Sequence, residues 1–129
     1  MNQRIALGLA MLAGAAFGAA AIQGLHAQTK PPSYVVVDIA EITDPDGFKV
    51  VTQRPAAATA TVQQGGRYIT RTDKITALDG AAPKRFIVIA FDSLEKAQAW
   101  NSSDPQKEIN AIRAKTTKSR SFVVEGMAN

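Results

Sequence analysis

The chain has no cysteine and a single histidine, His26. Without thiols there are no disulfides, thiolate zinc sites, iron–sulfur clusters or cysteine nucleophiles. His26 falls in an N-terminal segment read below as an export signal, so the folded domain has no imidazole. A Ser-His-Asp triad therefore cannot be assembled, and zinc, copper and haem lose their usual donors. Only hard oxygen sites would remain for a metal, and the eleven acidic residues follow no calcium-loop spacing. No metal and no cofactor is expected. Glycines are present as Gly65-Gly66, but not in a phosphate-loop arrangement. At 129 residues the chain has room for one domain.

The first 27 residues carry a targeting pattern instead of a fold. Arg4 is their only formal charge, a charge-free Ala/Leu/Gly stretch follows from Ile5 to Ile22, and small Ala27 offers a cleavage point. A basic start, an apolar middle and a small residue at the cut make a secretory signal. The alternative is a retained anchor, since 18 apolar residues reach the lower limit for a bilayer span and Gly14 and Gly18 are spaced for helix packing. Either way the domain is expected outside the cytoplasm, periplasmic or secreted, with a membrane contact only if the segment is retained. Losing Arg4 leaves 14 basic against 11 acidic residues, a net +3. The basic residues are scattered, and so modest a charge serves solubility more than an anionic polymer.

Residues 28–33, with Pro31-Pro32, read as an extended leader, and residues 34–127 as the domain. Tyr34 to Ile42 is dense in β-branched residues and predicts a strand. Asp44 and Pro45 then open a helix. Its stripe of Phe48, Val51, Ala58 and Val62 runs to about Gln64, and Pro55 must kink or interrupt it. Gly65-Gly66 ends that helix, and Arg67 to Thr72 alternates as a strand. Thr76 to Ala82 suggests a short extension with a turn at Asp79-Gly80. Arg85 to Phe91 is nearly unbroken apolar sequence, as in a sheet centre. Asp92 or Ser93 caps a second helix, with Glu95 near a capping-box position and Leu94, Ala97 and Trp100 on its apolar face. Asp104-Pro105 restarts a helical turn carrying Ile109 and Ile112, and Ser121 to Glu125 is the last strand.

The order β-α-β-β-α-β predicts an α+β fold, the ferredoxin-like plait: a four-stranded antiparallel sheet with helices on one face. Its other face would be bare and rich in Val, Ile and Phe. So large an apolar surface marks an interface, and a homodimer packed sheet to sheet follows.

Several segments, in this order and spacing, resemble the domain-of-unknown-function 1330 family of the dimeric α+β barrel superfamily. They are Tyr34-Val-Val-Val-Asp38, Thr43-Asp44-Pro45-Asp46-Gly47-Phe48, Gly65-Gly66-Arg67-Tyr68, Arg71, Phe91-Asp92-Ser93-Leu94-Glu95, Ala99-Trp100 and Ser119 to Gly126. The resemblance implies a ferredoxin-like dimer and no established activity. It departs after Trp100, where family members often read Tyr-Asn-Ser-Pro-Glu-Tyr. Here Asn101 and Gln106 put amides in the aromatic positions, which implies an altered or more polar pocket.

Five residues stand out as site candidates. Arg71, on an edge strand and sharing parity with Arg67 and Ile69, could hold a carboxylate in its fork or make a structural ion pair with Asp38, Glu125 or another acid. Asp38, inside an apolar strand, needs a partner if buried and is the one candidate for a general base. Trp100 could be a pocket wall or simply core, Arg113 an anion contact or a cap of helix carbonyls, and Phe48 a ligand contact on the first helix. An RNA-recognition strand would need a glycine and a central aromatic where Arg85 and Val88 stand, so no nucleic acid is expected. The leading expectation is a homodimer binding a small organic molecule. A cofactor-independent monooxygenase- or isomerase-like enzyme and a purely structural dimer are the alternatives.

Overall fold

Strand β1 (Ser33–Ile42) lies inside the sheet, as its run of Val35, Val36 and Val37 demands. The computed structural model describes residues 31–128; residues 1–27, read from the sequence as an export signal, and the first half of the leader lie outside them. After β1 come helices α1 (Pro45–Thr52) and α2 (Pro55–Gln63), strands β2 (Arg67–Thr72) and β3 (Arg85–Phe91), helices α3 (Leu94–Asn101) and α4 (Asp104–Thr116), and strand β4 (Thr117–Glu125). The sheet order is β2-β3-β1-β4, with every neighbouring pair antiparallel. This is the ferredoxin-like plait.

Successive strand residues point to opposite faces. On β1, Val35, Val37 and Ile39 turn toward the helices and join Phe48, Ile89, Phe91, Ala97 and Trp100 in one buried cluster. Each of the larger side chains contributes about 1.5–3 kcal/mol by leaving water. Tyr34, Val36 and Asp38 take the other face. Across the sheet, Val36 is opposite Val88 on β3 and Phe122 on β4.

The helix starts follow their capping chemistry. The Asp44 carboxylate accepts the Gly47 N–H at 3.1 Å, and Pro45 occupies the first turn of α1. Pro55 interrupts the helix outright: α1 stops at Thr52, Gln53 and Arg54 link, and Pro55 begins α2. Arg54 takes the extended backbone that a following proline imposes. Ser93, not Asp92, caps α3 by accepting the Lys96 N–H at 3.2 Å. The third helical residue is then Lys96, so Glu95 is not in a capping box.

Three segments differ from the sequence reading. Residues 73–84 contain no strand, only bends and a left-handed Gly80. The helical turn after Asp104 is a full thirteen-residue helix. Strand β4 begins at Thr117, because α4 runs into it without a loop. The Thr116 and Thr117 hydroxyls donate to the Ile112 and Arg113 carbonyls at 2.8 and 2.7 Å, while the Thr116 carbonyl accepts from Thr43 and Asp44.

Candidate functional site

The apolar row that forms the sheet centre is also the floor of a cavity of about 130 Å³. Val37 and Ile39 of β1 and Ile87 and Ile89 of β3 supply that floor, with Phe48 and Val51 of α1, Ile109 of α4 and Trp100 of α3 above it. The polar part of the wall is nearly all of one sign. Arg54, Arg71, Arg85 and Arg113 line the cavity, together with Tyr68, Thr52 and Gln106, and no Asp or Glu is among the lining residues.

Strand register explains how the arginines arrive there. Arg71 is opposite Ile87, Ile87 opposite Val37, and Val37 opposite Ser121, so one row crosses all four strands. At about 4.8 Å per strand its ends are roughly 14 Å apart. Arg71 stands at the β2 end, its Cζ 4.7 Å from the centroid of the Tyr68 ring. At the β4 end Arg113 reaches over from α4 and donates from Nη2 to Ser121 Oγ at 3.4 Å. Arg85 faces the same way one pair further along β3, opposite Ile39.

The parity expected for Arg71 is corrected by a β-bulge. The β2–β3 register shifts between Tyr68 and Thr70. Arg71 therefore shares its face with Tyr68, while Arg67 pairs with Ala90 toward the open face. Its suggested acid partners do not materialise. Among the described residues the ion pairs of this region are Arg54 with Glu108 at 2.7 Å and Arg120 with Asp38 at 3.3 Å, and Arg71, Arg85 and Arg113 make none. Burial pushes the pKa of the Arg113 guanidinium down, because desolvation penalises its charged form.

Trp100 is both core and cavity wall. It is 3% exposed, with its ring 5.3 Å from that of Phe91. Its Nε1–H donates to Thr61 Oγ1 at 3.0 Å, Tyr68 Oη donates to the same oxygen at 3.4 Å, and Thr61 donates to the Ala57 carbonyl at 3.0 Å. Sequence reading missed Thr61, Tyr68, Arg54 and Arg85. Their charge and hydroxyls were visible, but nothing in a linear pattern announces a bulge or a hydroxyl 39 residues away from its indole.

The two amides that depart from the family pattern are joined through a third. Gln106 Nε2 donates to Asn110 Oδ1, and Asn110 Nδ2 donates to Asn101 Oδ1, both at 2.9 Å. Gln106 is buried and lines the cavity. The site thus gains a polar wall held in place by a hydrogen-bonded relay.

Four of the five sequence candidates, Phe48, Arg71, Trp100 and Arg113, meet around this cavity. Asp38 does not. It projects from the opposite face of β1, paired with Arg120, and cannot serve as a base for a molecule held here. A second hollow of about 350 Å³ between α3 and β4 has no charged lining residue. Among the described residues no group of three or more His, Cys, Asp or Glu could hold a metal, and no helix is long and apolar enough to cross a membrane.

The family model described as "Domain of unknown function (DUF1330)" matches residues 32–127. The chain belongs to the DUF1330 family. No curated protein matches it in sequence. The DUF1330 domain is similar in structure to a protein of unknown function from Rhodopseudomonas palustris, with a TM-score of 0.60 at 9% identity, over 84% of this chain and 93% of that one. A dimeric ferredoxin-like protein of unknown function from Thermobifida fusca gives 0.57 at 12% identity, over 74% and 91%. SnoaB, a cofactor-independent oxygenase from Streptomyces nogalater, gives 0.53 at 10% identity, over 77% and 96%. At these identities the likeness is one of fold.

Proposed function

We propose that this DUF1330 domain is an exported homodimer that binds a small organic molecule between its sheet and its helices. The observation that carries the reading is the cavity, apolar below and ringed by guanidinium groups. A purely structural domain closes its core at crystal-like density; here the space above Val37 and Ile87 is left open. Export rests on the tripartite pattern of residues 1–27. Self-association rests on the sheet's second face, where Val36, Phe86, Val88, Phe122 and Val124 stand without a helix over them. The Thermobifida protein of the same fold is described as dimeric.

The enzyme alternative needs a base. Asp38, its one candidate, is outside the cavity, so binding is the reading we adopt. Native mass spectrometry of the protein purified from its own host tests it. Dimers carrying a small extra mass per copy are expected. Bare protein mass, combined with no stabilisation by any of a panel of one-ring compounds, would overturn it.

A further inference from the structure

We infer that the molecule held in this cavity is a carboxylate with an apolar body the size of one ring, its charge met by Arg71, Arg85 and Arg113. This deepens the binding reading above and rests on it. Size comes first. A cavity of about 130 Å³ is close to the roughly 150 Å³ apolar cavity known to accept a benzene molecule, so one six-membered ring fills it.

Charge comes second. Three of the four lining arginines form no ion pair. Arg71 and Arg85 face the same side of the β2–β3 pair as diagonal neighbours, two residues apart in register, where like charges repel. Asp73 lines an adjacent depression beside Arg85 but makes no ion pair with it. Arg113 is half-buried, and among the described residues the only hydrogen bond of its guanidinium is the 3.4 Å contact to Ser121. A partly desolvated cation without a counter-charge is costly, which applies to Arg113, while Arg71 is exposed. An anion entering the cavity offsets the burial of Arg113 and screens the repulsion between Arg71 and Arg85. A guanidinium fork matches a carboxylate in two parallel hydrogen bonds, while Phe48, Ile87 and Trp100 take the ring.

Trp100 is the only tryptophan of the chain and lines both this cavity and the hollow between α3 and β4, so its fluorescence reports binding beside it and the arginine variants assign that binding to this cavity. The test titrates the full chain with benzoate, with benzamide (its neutral isostere) and with inorganic phosphate. Benzoate is expected to give a saturable Trp100 change, benzamide at least tenfold weaker binding and phosphate little response. Arg85→Gln and Arg113→Gln should each weaken benzoate by about tenfold or more, as for loss of one charged hydrogen bond. The surface variant Lys96→Gln should leave binding unchanged. Arg85→Gln, at the β3 terminus, carries the test if Arg113→Gln does not fold. Binding of benzamide as tight as benzoate overturns the anion while leaving the small-molecule reading intact. Phosphate equal to benzoate overturns the ring. No response to any probe overturns the inference, and if the host-purified protein is also bare, the binding reading falls with it.

Discussion

Thr61 shows how much one hydroxyl can organise. It is 1% exposed and takes the indole N–H of Trp100 and the phenol of Tyr68 onto one oxygen while spending its own proton on the Ala57 carbonyl. Both aromatic groups are fixed at the cavity wall by it. Thr61→Val keeps the shape and removes the acceptor, leaving the Trp100 donor buried without a partner. Such a loss costs about 1–3 kcal/mol, which urea unfolding followed by Trp100 fluorescence would measure. Arg113 makes the opposite case. Its burial without a counter-ion burdens the empty fold, so Arg113→Met should raise apo stability by about 1 kcal/mol while removing ligand-induced stabilisation, both read from melting curves. Arg71 is exposed and stacked on Tyr68. Arg71→Ala should therefore leave the apo fold within about 0.5 kcal/mol of its starting stability and abolish the ligand-induced melting shift. A collapse of the fold would assign Arg71 to structure instead.

At the scale of elements, the end of α2 ties the backbone to the same wall. The Gly66 N–H donates to the Thr61 carbonyl at 2.9 Å and the Gly65 N–H to the Val62 carbonyl at 3.0 Å, with Gly65 at φ +88°. This is the Schellman arrangement. A Cβ on Gly66 would lie 2.7 Å from Thr61 Cγ2 and 3.0 Å from Phe91 Cζ. Gly66→Ala should destabilise by about 1–3 kcal/mol, the usual cost of overpacking, and shift the Trp100 emission through Thr61. Elements whose signal is local were legible in the sequence: the β-branched density of β1 and β3, the Asp44-Pro45 start, the Pro55 break and the Gly-Gly stop. What escaped was set by pairing. The bulge at β2 reverses the parity that placed Arg71 with Arg67. The polar start of β4 looks like loop because its partners, Glu41 and Ile42, lie beyond a second bulge in β1. Phe48, Arg71, Trp100 and Arg113 could be named from the sequence because their side chains are unusual for their positions. Arg85 could not, since an arginine at a strand start is ordinary until the register places it over Ile39.

For the whole molecule, the decisive feature is that the sheet has two apolar faces and helices for one. Phe122 is 41% exposed in the single chain, while its neighbour across the pair, Val36, is 8% exposed. The face is not uniformly greasy. The Asp38–Arg120 pair sits on it, with the Arg120 guanidinium 5.7 Å from the Phe122 ring centroid. A second copy related by a twofold axis would bury the same patch twice. In that dimer the ion pair sets register and orientation more than affinity. Phe122→Glu tests this without endangering the monomer, because the side chain projects from an edge strand and contributes little to the buried cluster. Light scattering on the chain without residues 1–27, about 11 kDa per copy at roughly 0.11 kDa per residue, should move from about 22 kDa to about 11 kDa. Circular dichroism should stay that of the folded chain. A variant that remains dimeric would show that the two copies meet somewhere other than the sheet. A wild-type protein that is monomeric at micromolar concentration would remove the dimer altogether while leaving the cavity, which one chain builds alone, open to its own test.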